Sequence, residues 1–426
     1  MPVTLVVGAQ WGDEGKGRIV DFLAMGASAV ARYGGGANAG HTVQVGEKTY
    51  KLRLVPSGIV AGVEACIIGP GTVISPSIVL GELDALAGAG VDVSRVWISD
   101  LAHLILPYHV ALDRAWEQAR GGASIGTTGN GIGPAYMDRV ARVGIRAGDL
   151  ADSRRWQQAV RDRCAAIRAH GVDVDANAIV AELEAQCPRL MPHVRDTIGL
   201  VHEFLRAGKR VLAEGAQGTM LDVGLGTYPY VTSSVTIAGG GESGLGYGPS
   251  HVEHVVGVTK SYATRVGNGP FPSELHDAAG TALQQRGREF GVVTGRARRC
   301  GWLDLAALRY AVAVNGITHL AMTKLDVLDE FDEVGVCSRY AGGDPAASLP
   351  FAIEAGAKPV MTMLRGWRAA TSAARSWNDL PREAQAFIAH VEAETATPVS
   401  YISVGPERSQ IIVRPGAPLA QAAMAR

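Results

Sequence analysis

Short apolar runs rich in β-branched residues, each closed by glycine or proline, recur along the chain. Residues 4–8, residues 65–68 (stopped by Gly69-Pro70-Gly71) and residues 96–98 read as strands. Continuous rather than alternating apolar runs are the pattern of strands covered on both faces, as in mainly parallel sheets. Similar runs at 210–213, 254–259, 319–323 and 334–337 add further strands. Elsewhere the apolar positions recur every three to four residues. Residues 18–25 predict a helix, and the glycine-poor stretches 152–170, 176–184 and 191–207 predict a helical insertion. Residues 355–398 also lean helical, around a short Gly366-Trp367-Arg368 element. With no internal repeat or low-complexity linker, the expected fold class is α/β. It has a large, mainly parallel central sheet flanked by helices, with helical insertions. The chain is expected to form a single domain over residues 1–426, with a helix-rich insertion at about 150–208.

Composition narrows the function. The 40 Lys+Arg balance 41 Asp+Glu, and a formal charge of -1 excludes a charge-driven nucleic-acid binder as the default reading. Aromatic residues are only 6%, too few for base-stacking platforms. Five cysteines without CxxC spacing fit reduced thiols better than disulfides or a zinc site, and a cytoplasmic location is expected. The start of the chain carries no basic leader, so no signal peptide is expected, and no apolar run is long enough for a membrane span. The 54 glycines have no collagen-like period, so they belong to turns and close backbone approaches.

Those glycines cluster around chemistry. Residues 8–18 join a strand to a helix and carry Asp13, Lys16 and Arg18, charges that a purely structural turn does not need. Backbone N–H groups of such a loop, with the helix start, suit a phosphate. It is not a Walker A loop, because Gln10 stands where Gly is required and Gly17 where Ser or Thr is required. The core is therefore expected to resemble that of P-loop NTPases without a true Walker A. Residues 34–42 place Asn38 and His41 in a second glycine cluster, and a histidine held there suits proton transfer near neutral pH. Residues 126–134 offer hydroxyls and N–H groups to phosphate oxygens. The Arg296, Arg298 and Arg299 guanidiniums suit carboxylate or phosphate. Lys324-Leu325-Asp326 is similar to the end of guanine-reading loops, a weak signal by itself.

Together these stretches resemble the adenylosuccinate synthetase family, GTP-dependent enzymes that join IMP to aspartate. The matching segments are QWGDEGKGR at 10–18, GGANAGHT at 35–42, GTTGNGIGPAY at 126–136, EGAQGTMLD at 214–222 and GTYPYVTSS at 226–234. TRVGNGPFPSEL at 264–275, TGRARRCGWLDL at 294–305, TKLDVLD at 323–329 and SVGPER at 403–408 complete them. They follow the family's order across nearly the whole chain.

The resemblance implies that the GTP γ-phosphoryl group passes to O6 of IMP, and that the aspartate amine then displaces phosphate at C6. Asp13 would take the N1 proton and ligate Mg²⁺ together with the Gly40 carbonyl. His41 would donate to the transferring phosphoryl group, with Lys16 and Gln217 completing the catalytic set. Gly12, Asp13, Glu14, Gly15, Lys16, Gly17, Arg18, Gly40, His41, Thr42 and Arg298 would surround the GTP phosphates. Lys324, Leu325, Asp326, Ser403, Val404 and Gly405 would hold guanine. IMP would meet Asp13, Asn38, Ala39, Thr128, Gln217, Thr232 and Arg296, with Arg142 reaching in from the partner subunit of a homodimer. Val292, Val293, Thr294, Gly295, Arg296 and Arg298 would form the aspartate site.

The chain departs from the family's usual pattern mainly near the amine-donor end. Asn130 replaces an arginine associated with aspartate recognition, and Val293 replaces a threonine. Val235 and Ile237 replace an amide and a hydroxyl, Leu225 replaces a histidine, and Arg365 precedes Gly366-Trp367 where proline is usual. An uncompensated loss of an arginine or a hydroxyl from a dicarboxylate site costs on the order of 1–3 kcal/mol. Two other expectations stay open beside the adenylosuccinate reading. One is a paralogue acting on another amine or an IMP-like nucleotide; the other is a non-catalytic nucleotide sensor. The retained Asp13 and His41 argue against the sensor.

Overall fold

A computed structural model describes residues 2–38, 40–46, 48–290, 297–342 and 348–419. Its centre is a ten-stranded sheet. The spatial order is Ile411–Val413, Val399–Ser403, His319–Thr323, Val252–Lys260, Val3–Gly8, Val211–Glu214, Ala29–Arg32, Ala65–Ile68, Val96–Ser99 and Val194–Arg195. Every neighbouring pair is parallel except the edge pair Val399–Ser403 with Ile411–Val413. The expected fold class is the one observed.

Burial explains the unbroken apolar runs. Leu5 and Val7 enter one core with Ala213, Ala31 and Ile67, whereas Val6 enters another with Leu212, Val30 and Ile68. Successive side chains point to opposite faces of a strand, and here both faces are dry. Each fully buried Val, Leu or Ile contributes on the order of 1.5–3 kcal/mol relative to exposure. The helix Lys16–Ala24 lays Ile19, Val20 and Leu23 on the face that holds Val6.

Two helical expectations are corrected in part. Within 191–207, Val194–Arg195 pairs with Ile98–Ser99 as an edge strand, and the helix begins only at Thr197, where the Asp196 carboxylate accepts from Gly199 N at 2.8 Å. Within 355–398, Lys358–Arg365 is a strand antiparallel to Glu333–Ala341, and helix Arg382–Thr395 starts after Pro381. Ladder pairing with residues 333–341 outweighs local helical preference. That partner strand also lies outside the main sheet, in a three-stranded one with Leu303–Asp304. Strands Ala29–Arg32, Val399–Ser403 and Ile411–Val413 were not expected.

Candidate active site

The first, near-central strand Val3–Gly8 delivers the chain into the loop that ends at helix Lys16–Ala24. Asp13 (φ 58) and Gly15 (φ 89) both sit in the left-handed region, and Gly15 caps the helix without a side-chain bond. The buried Glu14 carboxylate holds this turn. It accepts from Gln10 N at 3.1 Å and Gly12 N at 2.9 Å, and pairs with Lys16 Nζ at 2.5 Å. Glu14 therefore faces inward, and its backbone is the part available to a phosphate. Thr323, at the end of the strand two places across the sheet from Val3–Gly8, donates from its hydroxyl to Glu14 O at 2.6 Å.

Gly17 stands where a Walker loop has a hydroxyl for a close-packing reason. A Cβ there would lie 2.8 Å from His41 Cβ and 3.1 Å from Ser57 Oγ. His41 opens the strand His41–Val45 rather than sitting in a glycine loop, and it is buried. Its Nδ1 lies 2.6 Å from Glu214 Oε1 and 2.8 Å from Ser57 Oγ. Ser57 in turn donates from N to Glu214 Oε2 and from Oγ to Oε1, both at 2.8 Å.

A second buried carboxylate organises the opposite side. Glu289 accepts from Lys260 Nζ at 3.0 Å, Lys324 Nζ at 2.8 Å, Arg298 Nη1 at 2.6 Å and the Tyr262 hydroxyl. Burial works against its ionisation, but the three cations outweigh it and hold the carboxyl well below the usual range. Desolvation lowers Lys260 to about 8. Arg298 also places Nε 2.8 Å from Asp13 Oδ2, so one guanidinium joins this hub to the candidate base. Lys324 additionally donates to Gly287 O at 2.5 Å.

The candidate IMP side shows unfinished bonding. Gln217, held at φ 55, has both amide atoms buried and without a hydrogen-bond partner. Buried polar groups are rarely left so, and an orphan pair in a cleft points to a ligand. Asn38 Nδ2 donates to Thr232 Oγ1 at 3.3 Å, which brings two expected IMP contacts together. The fully buried Arg32 fastens the preceding loop by donating to Gly34 O at 3.3 Å and Gly36 O at 2.9 Å. Thr128 is exposed, and Arg142 is exposed at φ 63 where helix Ile132–Ala141 ends.

At the candidate guanine end, Arg18 Nη1 donates to Ser403 Oγ and Nη2 to Glu407 O, each at 2.5 Å. Burial lowers Arg18 to about 10 and raises the half-buried Asp326 carboxyl above its ordinary value. Leu325, Val404 and Gly405 are buried in the walls, while Gly40 and Thr42 are exposed beside His41. Ala39 and the expected aspartate residues Val292, Val293, Thr294, Gly295 and Arg296 lie outside the described residues.

Among the departures, Asn130 borders a cavity of about 360 Å³ together with Arg114, Pro107, Glu182 and Gln186. Leu225 and Val235 are exposed on a loop gathered by Asp222, which accepts from Leu225 N at 3.0 Å and Thr236 N at 2.7 Å. Sequence reasoning gave no role to Glu214, Ser57, Glu289, Lys260 or Arg32. The only signal was that Glu214 lies inside a matching motif.

Known proteins resemble the chain over nearly its whole length. The adenylosuccinate synthetase family model matches residues 5–412. The adenylosuccinate synthetase of Moorella thermoacetica is 50% identical over 424 residues, covering 97% of this chain and 99% of the relative. That of Synechococcus elongatus is 46% identical, covering 97% and 95%. The structure of fully ligated adenylosuccinate synthetase from Plasmodium falciparum superposes with a TM-score of 0.92 at 36% identity, covering 97% of this chain and 100% of that one. The cyanophage S-2L succinoaminodeoxyadenylate synthetase, bound to dGMP and dATP, shares the fold with a TM-score of 0.65 at 20% identity, covering 100% and 99%.

Proposed function

This chain belongs to the adenylosuccinate synthetase family, and on that premise we propose how its residues divide the family's reaction. The chain is a GTP-dependent ligase that joins IMP to L-aspartate, giving adenylosuccinate in purine biosynthesis. One observation carries the assignment of roles. The loop with Asp13 and Lys16, the loop leading to His41, and Gln217 with its unpartnered amide follow three adjacent parallel strands: Val3–Gly8, Ala29–Arg32 and Val211–Glu214. Ligands of open α/β sheets bind beyond the carboxyl ends of the strands.

Asp13 takes the N1 proton of IMP, so that O6 attacks the γ-phosphorus and GDP leaves. His41 donates to the moving phosphoryl group, and the backbone donors around Gly15 and Lys16 hold the GTP phosphates. Phosphoryl transfer needs mainly such positioning and charge neutralisation. The aspartate amine then attacks C6 and phosphate departs. Gln217, Asn38, Thr128 and Thr232 orient IMP, Asp326 and Lys324 read guanine, and Arg298 meets aspartate.

Mg²⁺ belongs to the same proposal. Asp13 is a solvent-reaching carboxylate and Gly40 an exposed backbone position, a sparse donor set that suits an ion taking most of its ligands from phosphates and water. Bound there, it would supply charge neutralisation on the phosphates.

We also propose a homodimer in which Arg142 reaches the partner's IMP. Met137, Val140 and Val143, exposed by 54%, 79% and 41%, form an apolar surface around Arg142 that suits a second copy. Five free cysteines support a reducing, cytoplasmic location. The test is an absorbance assay with GTP, Mg²⁺ and IMP against a panel of amines. Turnover with aspartate far above every other amine is expected. A preferred different amine would overturn the substrate assignment.

A further inference from the structure

We propose that Glu214 is a positioning residue for phosphoryl transfer. Together with Ser57 it commits Nδ1 of His41 inward and presents Nε2 to the substrates. This rests on the reading of His41 given above.

The geometry leaves little freedom. Glu214 and Ser57 are both 0% exposed, and the carboxylate takes three contacts: His41 Nδ1 at 2.6 Å, Ser57 Oγ at 2.8 Å and Ser57 N at 2.8 Å. An ionised carboxylate only accepts, so the proton between it and the ring belongs to Nδ1. Which ring nitrogen carries the proton is set by the partner of the other. With Nδ1–H engaged, Nε2 is the ring nitrogen left for the reacting atoms, and it donates to the phosphoryl group when it too carries a proton, as an imidazolium beside the Glu214 carboxylate. Gly17 packs so closely on His41 and Ser57 that a Cβ there would clash with His41 Cβ, which leaves the pair little room to shift toward it.

The carboxylate stays charged in this setting. Burial disfavours its ionised form, but His41, Arg32 and Ser57 N outweigh that and bring Glu214 below its ordinary value. A fully buried carboxylate is costly unless it is paired, so a residue that merely filled space at this strand end would be apolar. Its nearest partners are the ring of the candidate acid and the serine that bonds the same ring nitrogen. Ser57 lies 157 residues away in the chain from Glu214, which is why no local motif announces the pair.

The test combines kinetics with NMR. Glu214→Gln should lower kcat by about 10²-fold while the KM values for IMP, GTP and aspartate stay within about threefold. Glu214→Asp should recover part of the loss, and Ser57→Ala should lower kcat by about tenfold. In a His41→Asn background, Glu214→Gln should cost less than about twofold more, because the two residues act as one unit. Long-range ¹H–¹⁵N spectra of the unsubstituted protein should show His41 protonated on Nδ1, whether or not Glu214→Gln folds. An Nε2-only proton there, unchanged kcat in Glu214→Gln, or an equal loss in the His41→Asn background would overturn the proposal. Full turnover by His41→Asn alone would instead overturn the reading of His41, and this proposal with it.

Discussion

Arg298 Nε lies 2.8 Å from Asp13 Oδ2 while Nη1 of the same guanidinium donates to Glu289 at 2.6 Å. The candidate base thus has an internal counter-cation, which the proposed magnesium ion and incoming carboxylate would have to share or replace. Arg298→Met should raise the aspartate KM at least about tenfold, the loss expected for a charge-assisted contact. It should not raise the Mg²⁺ concentration needed for half-maximal turnover. Steady-state titrations of both ligands check this; an unchanged aspartate KM would remove Arg298 from the donor site.

Asn130 stands where the family usually has arginine, at the rim of a cavity that also touches Arg114. Asn130→Arg should lower the aspartate KM by about 5–150-fold, corresponding to the 1–3 kcal/mol of a charge-assisted contact. The IMP KM should change little. Equal aspartate KM values in the two proteins would show that the site does not need a cation at this position.

The proposed sharing of sites between two subunits makes a mixing prediction. Arg142→Leu should raise the IMP KM strongly, and Asp13→Asn should abolish turnover while leaving GTP binding. An equal mixture that re-equilibrates its dimers should regain about a quarter of normal activity, because half the dimers are mixed and each of these holds one intact site. No recovery would contradict the partner role of Arg142.

Asp304 gives a pH prediction for stability. Burial lifts its carboxyl from 3.8 to about 6, against the opposing bonds from Tyr340 and Ala307. A raised folded-state value means that the folded protein binds the proton more tightly. The stability from this group is full below about pH 4 and is lost as pH rises through about 6. Asp304→Asn removes that dependence. Between pH 4 and 7.5 the parent protein should lose about 2–3 kcal/mol relative to the variant, measured by denaturant unfolding. A pH-independent difference would contradict it.

The sheet was legible where local pattern and burial coincide. Residues 65–68 and 319–323 match their strands because apolar runs with abrupt stops leave no other period. The loop around Asp13 and Lys16 stood out because glycines and charges crowd one strand–helix turn, although Lys16 also proves to pair with the buried Glu14 that holds the turn. The segments at 191–207 and 355–398 misled because Asp196 and the partner strand Glu333–Ala341 act over longer distances than a periodicity window. Glu214 and Glu289 escaped notice for a related reason. A buried carboxylate announces itself only through partners such as Ser57 and Lys260, which the fold brings in from elsewhere.

The central chemical claim is that O6 of IMP becomes the leaving phosphate. IMP labelled with ¹⁸O at position 6, turned over with GTP and aspartate, tests it by mass analysis of the inorganic phosphate. One ¹⁸O atom per phosphate released is the predicted result. Unlabelled phosphate, with the label in water or retained in the nucleotide, would contradict the account.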